Sequence, residues 1–235
     1  MFSFFKTQVL HPVLDLIFPK YCIACDQLIP SESGFLCLSC SYTLPYTDME
    51  KMEENAAQMR MLTKLPARYA ASLLYFVEEG KVREMLHRLK YQNRPEIGVY
   101  LGRLIAQKFA RQAWFNTIDA IIPVPLHAAK QARRGYNQSE CIAEGIAEYI
   151  RKPVLSKAVR RIKNTESQTD KNRKERIDNV ADAFELRKPE QIKDKHILLL
   201  DDVLTTGATL ASCGSSILSG TSCSLSVATV AIAYR

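Results

Sequence analysis

Residues 196–209 read HILLLDDVLTTGAT, and no other stretch restricts the fold as strongly. Ile197–Leu200 is a short unbroken apolar run that stops on two adjacent aspartates, Asp201 and Asp202. Such a run, followed by turn residues, marks a strand covered on both faces, which belongs in a parallel sheet with helices packed against it. The two aspartates repel one another, and at a strand end they need hydroxyls, a metal or cations as partners. Thr205, Thr206, Gly207, Ala208 and Thr209 then lead into a helix. Bare N–H groups at a helix start hold phosphate, threonine hydroxyls add donors, and glycine lets a ligand approach the backbone. Carboxylates beside a phosphate cradle describe a ribose 5-phosphate site. An Asp-rich turn with a threonine cap explains any one of these residues, but not the whole string. A P-loop and a dinucleotide fingerprint are excluded, because neither G-x4-G-K-[ST] nor a G-x-G-x-x-G after a strand occurs.

The rest of the chain alternates in the same way. Tyr69–Val77, Ile118–Val124 and Ser224–Ala233 read as strands, with a short one at Val154–Leu155. Lys81–Tyr91 has apolar residues at helical spacing, and Pro95 opens a second helix carrying Ile97, Leu101, Leu104, Ile105, Phe109 and Ala113. Further helices are expected over Ser139–Ile150 and Gly207–Leu218. The fold class is therefore α/β, a parallel sheet flanked by helices. In such sheets ligands bind at the carboxyl ends of the strands. PVPLHAAKQARRGYNQS, from residue 123, and DDVLTTGAT, from residue 201, both fall there.

Four of the seven cysteines are spaced Cys22-x2-Cys25-x11-Cys37-x2-Cys40. Two CxxC knuckles this close fit one tetrahedral zinc ion, and four thiolates close its shell, so the role is structural. A segment of this length buries too little surface to fold unaided, and a metal supplies the missing stability. Disulfides are disfavoured, because the apolar start MFSFFKTQVLHPVLDLIF lacks the basic front and cleavage site of a signal peptide and reads as a short amphipathic helix. Lys20 is the only basic residue between Pro19 and Tyr46, which argues against a DNA-reading zinc finger. The polar, methionine-containing stretch that follows reads as a linker. The expected organisation is 1–46, an N-terminal helix with the four-cysteine zinc module; 47–65, a linker; and 66–235, the larger domain.

The net charge of +7 is local: residues 151–178 hold ten basic and four acidic residues, a net of +6. That concentration points to a polyanionic partner, with a solvated loop as the plainer alternative. No apolar run is long enough to span a bilayer, so no membrane span is expected and the cytoplasm is the expected location.

LLLDDVLTTGAT resembles the phosphoribosyl pyrophosphate (PRPP) motif of the type I phosphoribosyltransferases. Together with the four cysteines, PVPLH, RRGYNQS and the basic stretch that carries Thr165, Gln168 and Arg176, it resembles the ComF family. The resemblance implies a type I phosphoribosyltransferase-like sheet behind a zinc module. Asp201 and Asp202 would hold the ribose hydroxyls and steady charge at the anomeric carbon, and Thr205–Thr209 would bind the 5-phosphate. The 123–135 turn would take pyrophosphate, and Pro125, His127, Arg133, Arg134, Tyr136, Asn137 and Gln138 would face pyrophosphate or acceptor. For Asn137 the reading as a helix cap carries equal weight. A mobile loop over residues 160–178 would bring Arg160, Arg161, Lys163, Thr165, Gln168 and Arg176 to the site. Mg²⁺ would accompany PRPP. Family membership implies natural transformation, with single-stranded DNA and other DNA-uptake or recombination proteins as partners. An active transferase with an unidentified acceptor and no DNA contact is the alternative, and the residues leave open whether turnover occurs.

Overall fold

A computed structural model describes residues 19–30, 34–163 and 183–233. The N-terminal stretch and Thr165, Gln168 and Arg176 lie outside these residues. β1 (Lys20–Tyr21) and β2 (Leu28–Ile29) form an antiparallel pair that carries the first knuckle, and α1 (Leu38–Thr43) carries the second. A 3-10 turn over Met49–Lys51 and α2 (Ala56–Leu62) follow. Asn55 starts α2, its Oδ1 accepting from the N–H groups of Ala57 and Gln58, both at 2.9 Å.

The body is a parallel sheet built from β3 (Ala70–Phe76), β4 (Ala120–Pro123), β7 (His196–Leu204) and β8 (Ser224–Ala233), in the order β3-β8-β7-β4. Between β3 and β4 lie α3 (Lys81–Tyr91), α4 (Pro95–Phe109) and the short α5 (Ala113–Asn116). Ala113 thus belongs to a separate turn rather than to the long helix. Between β4 and β7 come α6 (Ala128–Arg134), α7 (Gln138–Ile150), and an antiparallel pair, β5 (Val159–Arg161) with β6 (Phe184–Leu186). α8 (Ala208–Gly220) joins β7 to β8. Val154 makes only an isolated bridge to Ile121. All four residues of β4 and the first five of β7 are buried, as continuous apolar runs require.

Two features were not legible in the periodicity. α4 and α7 cross with their backbones in contact: a Cβ on Gly102 would lie 2.0 Å from the Ile142 carbonyl oxygen, and one on Gly145 would lie 2.0 Å from that of Val99. The stretch read as a linker is also packed. Met49, Ala57, Met61 and Leu65 are buried in the main core, and residues 45–47 run antiparallel along β3, covering its open edge.

The strand that carries the aspartates runs on through Leu204, further than the apolar run predicts. β8 continues to pair with it, Asp201 opposite Thr229 and Leu204 opposite Ile232. β4 stops earlier. Val124 N–H gives its last bond to Leu200 O at 2.8 Å, and Pro125 has no N–H to extend the ladder. Asp201 and Asp202 therefore have β8 on one side and an open edge on the other.

Candidate phosphoribosyl site

The open edge beside Asp201 is filled by the start of α7. Asn137 Nδ2 donates to Val124 O at 3.1 Å, and its Oδ1 accepts from Ser139 N at 3.1 Å, so one buried side chain caps the helix and ties it to the end of β4. Ser139 Oγ then donates to Asp201 Oδ1 at 3.0 Å, and the same oxygen accepts from Asp202 N at 2.9 Å. Burial, and next the charge of Asp202, push the Asp201 carboxyl up to about 7. Asp202 has its own cation: Lys90 Nζ, near the end of α3, lies 2.7 Å from its Oδ2. Neither Lys90 nor Ser139 was singled out as a site residue. Lys90 sits off the apolar stripe of α3, but spacing within one helix says nothing of which distant strand end it reaches.

Past Leu204, Thr205 and Thr206 are exposed and Gly207 turns into α8 with φ of +80°. α8 has no side chain capping it; the Ala208 N–H reaches Thr206 Oγ1 only at 3.4 Å. Its first turn is thus an uncapped helix N-terminus beside two carboxylates, the chemistry of an anion seat next to a diol seat. Gly207 is needed twice. Its φ disfavours any side chain, and a Cβ there would lie 2.9 Å from Met61 Sδ. Gly207→Val is expected to lower the melting temperature by about 4 °C or more, from a backbone penalty of 1–2 kcal/mol with the Met61 contact added, read by circular dichroism.

The 123–135 stretch is not a simple turn. Ala128–Arg134 forms α6, whose start is capped by His127 Nδ1 accepting from Ala129 N at 3.3 Å. Tyr136 donates its hydroxyl to Leu89 O, holding the end of α3 against the start of α7. Gln138 is buried and accepts from Arg134 Nη1 at 2.7 Å. Arg134 lies over the Tyr91 ring, 5.4 Å from its centroid, and Arg133 is exposed. Pro125 and His127 are half-buried. Arg160 points to solvent, and Arg161 packs over Phe184 at 5.3 Å, where burial lowers its pKa against the opposing pull of Asp201. Lys163 ends the described part of this segment.

The four knuckle sulfurs, from Cys22, Cys25, Cys37 and Cys40, lie within 4.8 Å of one another, and Cys25 Sγ is 3.7 Å from Cys37 Sγ. Tetrahedral zinc with Zn–S of about 2.3 Å separates its sulfurs by about 3.8 Å, so this donor set fits zinc.

A family model described as the phosphoribosyl transferase domain matches residues 87–235. Competence protein F of Haemophilus influenzae is 35% identical over 130 residues, 54% of this chain and 57% of that protein. DNA utilization protein YhgH of Escherichia coli K12 is 31% identical over 137 residues, 57% and 60% of the two chains. Competence protein ComFC of Bacillus subtilis is 24% identical over 214 residues, 88% and 82% of the two. The chain belongs to the ComF family of phosphoribosyl transferase-domain proteins. With the first two relatives, the match spans less than two thirds of their length. A solved glutamine PRPP amidotransferase from B. subtilis, complexed with ADP and GMP, superposes on 61% of the chain and 30% of its own, with a TM-score of 0.42 and 17% identity. The segment of this ComF-family chain matched by the domain model contains Lys90, Ser139 and the aspartates, but not the four knuckle cysteines or α2. No helix among the described residues is long and apolar enough to cross a membrane.

Proposed function

We propose that this protein binds PRPP, or a related ribose 5-phosphate ligand, and serves natural transformation or DNA use, as the names of its relatives imply. The observation that carries the proposal is the paired carboxylate of Asp201 and Asp202 beyond the end of β4, followed at once by the uncapped start of α8. The aspartates take the ribose hydroxyls and the Thr205–Thr209 turn takes the 5-phosphate. Arg133 and Arg134 are the candidates for pyrophosphate, and Arg160, Arg161 and Lys163 lead into the basic stretch. Mg²⁺ would neutralise the pyrophosphate oxygens and arrive with the ligand. Zinc is the resident structural ion, and the compartment is the cytoplasm. Titration of the zinc-loaded protein with PRPP and Mg²⁺ by calorimetry tests the reading. Binding that disappears in the Asp201→Asn/Asp202→Asn double variant supports it, and no binding by the native protein rejects it.

Single-stranded DNA is the second ligand. In its favour stand the basic stretch and an exposed aromatic, Tyr91, braced by Arg134 and by the His87 ring at 5.0 Å. Stacking on such a ring with electrostatic backbone contacts is how sequence-tolerant binders hold single strands. Affinity for a short oligonucleotide should fall as salt rises, and an affinity indifferent to salt would remove the DNA reading. The alternative activity is transfer of the phosphoribosyl group to an unidentified acceptor, which release of pyrophosphate from PRPP in the presence of candidate bases would reveal. DNA-uptake or recombination proteins are the corresponding protein partners.

A further inference from the structure

α2 lies outside the segment matched by the domain model, yet two of its neighbouring cations reach under the phosphate turn. Arg60 Nη1 donates to Leu204 O at 3.1 Å, to Thr205 O at 2.9 Å and to Ala233 O at 3.0 Å. Lys64 Nζ donates to Thr206 O, and to Arg60 O at 3.4 Å. Met61, between them, meets the position a Gly207 side chain would occupy. Three successive carbonyls of the turn, from residues 204, 205 and 206, are thus held on one side by two positive charges.

The geometry has a direct consequence. No peptide bond in the described residues is cis. In a trans peptide the C=O and the following N–H point in opposite directions. The carbonyls of Thr205 and Thr206, drawn toward α2, therefore turn the N–H groups of Thr206 and Gly207 away from the two cations. A phosphate approaching from that side would meet these N–H donors instead of the carbonyls, which would repel it. The two cations also stand behind the turn and lower the electrostatic cost of the incoming anion.

We propose that Arg60 and Lys64 are positioning residues for the 5-phosphate seat: they clasp the 204–206 carbonyls and so set the backbone donors of the seat before ligand arrives. The proposal rests on the PRPP reading above. It gives the N-terminal region a share in the binding site, by way of a helix that no phosphoribosyl motif contains.

The test uses the full chain and two separate probes, ribose 5-phosphate and Mg²⁺-pyrophosphate, by calorimetry. Lys64→Met, at an exposed position, should leave the melting temperature unchanged and weaken ribose 5-phosphate binding several-fold. Arg60→Gln should weaken it by about tenfold or more, the weight of a lost charged hydrogen bond, and Arg60→Lys should recover part of the loss. Pyrophosphate affinity should stay constant in all three. Native binding of ribose 5-phosphate that survives undiminished in Lys64→Met and Arg60→Gln overturns the clasp while leaving the PRPP reading intact. So does a parallel loss for both probes with a falling melting temperature, which marks a merely structural contact. If the native protein binds neither probe, the PRPP reading fails and the clasp falls with it.

Discussion

Asp201→Asn is expected to make the protein more stable above pH 7 and to weaken PRPP binding by about 100-fold. The two effects have one cause. In the unfolded chain this carboxyl ionises near 3.8, and in the native protein near 7, because it is buried and faces Asp202. Between those pH values the native state keeps a proton that the unfolded state has lost, so native stability falls as pH rises from 4 to 7 and stays low above it. The full shift corresponds to a cost on the order of 4 kcal/mol at pH 8. Asparagine removes the charge yet keeps an oxygen to accept from Ser139 Oγ and Asp202 N–H, so the local hydrogen bonds survive. The variant's melting temperature should therefore exceed the native value by about 5 °C or more at pH 8, with the gap closing toward pH 4. Thermal melts across that range, beside calorimetry with PRPP and Mg²⁺, read both sides. A destabilised Asp201→Asn that still binds PRPP would show the carboxylate to be part of the scaffold instead of the ligand seat.

Stripping the metal should be the more damaging change. Cys22 and Cys40 are almost fully buried, at 0% and 1% exposure, and Ile23, Leu36 and Leu44 beside them belong to the main core. The module is not an independent bead. Phe35 packs on Tyr100 of α4 with ring centroids 5.0 Å apart, and Asp26, next to Cys25, pairs with the buried Arg88 of α3. That arginine also holds Glu84 at 3.0 Å, and the same helix presents Lys90 to Asp202. A strong chelator should lower the melting temperature by about 10 °C or more, since structural zinc contributes several kcal/mol to folding. Cys40→Ser should do the same without chelator. PRPP affinity should fall alongside, because freeing Asp26 leaves Arg88 with one partner fewer and loosens the helix that carries Lys90. The metal content of the native protein, measured beside the melts, should be one zinc per chain. An unchanged melt with no bound zinc would reduce the cluster to four packed thiols.

Much of this molecule is written in short-range pattern. Lys81–Tyr91 and Ser224–Ala233 are found where their periodicity and composition put them, because an amphipathic helix and a doubly covered strand each state their burial residue by residue. The cysteine spacing is local as well, since each knuckle closes within four residues. HILLLDDVLTTGAT likewise contains its own strand, carboxylates, turn and helix start. The length of β7 was not local. It depends on β8 continuing to pair past Leu200 while Pro125 ends β4, which is a property of three strands together. α6 was missed for a similar reason: AAKQARR buries no residue and so has no apolar stripe to announce it.

By itself, the sequence determined the class of sheet, the thiol cluster, and the strand end where carboxylates meet a phosphate-type turn. Each of these is set by neighbours in the chain. Tertiary structure alone decided what surrounds that turn: Lys90 on Asp202, Ser139 on Asp201, and Arg60 with Lys64 beneath the 204–206 carbonyls. Those contacts join residues from 62 to 145 positions apart, and an isolated cation in a polar stretch looks like any solvated side chain until the fold brings a carbonyl or a carboxylate to it. The same holds for the stretch between the zinc module and the sheet. Its composition resembles a tether, and only the sheet, by offering an open edge and a buried seat for Met61, makes it part of the packed body.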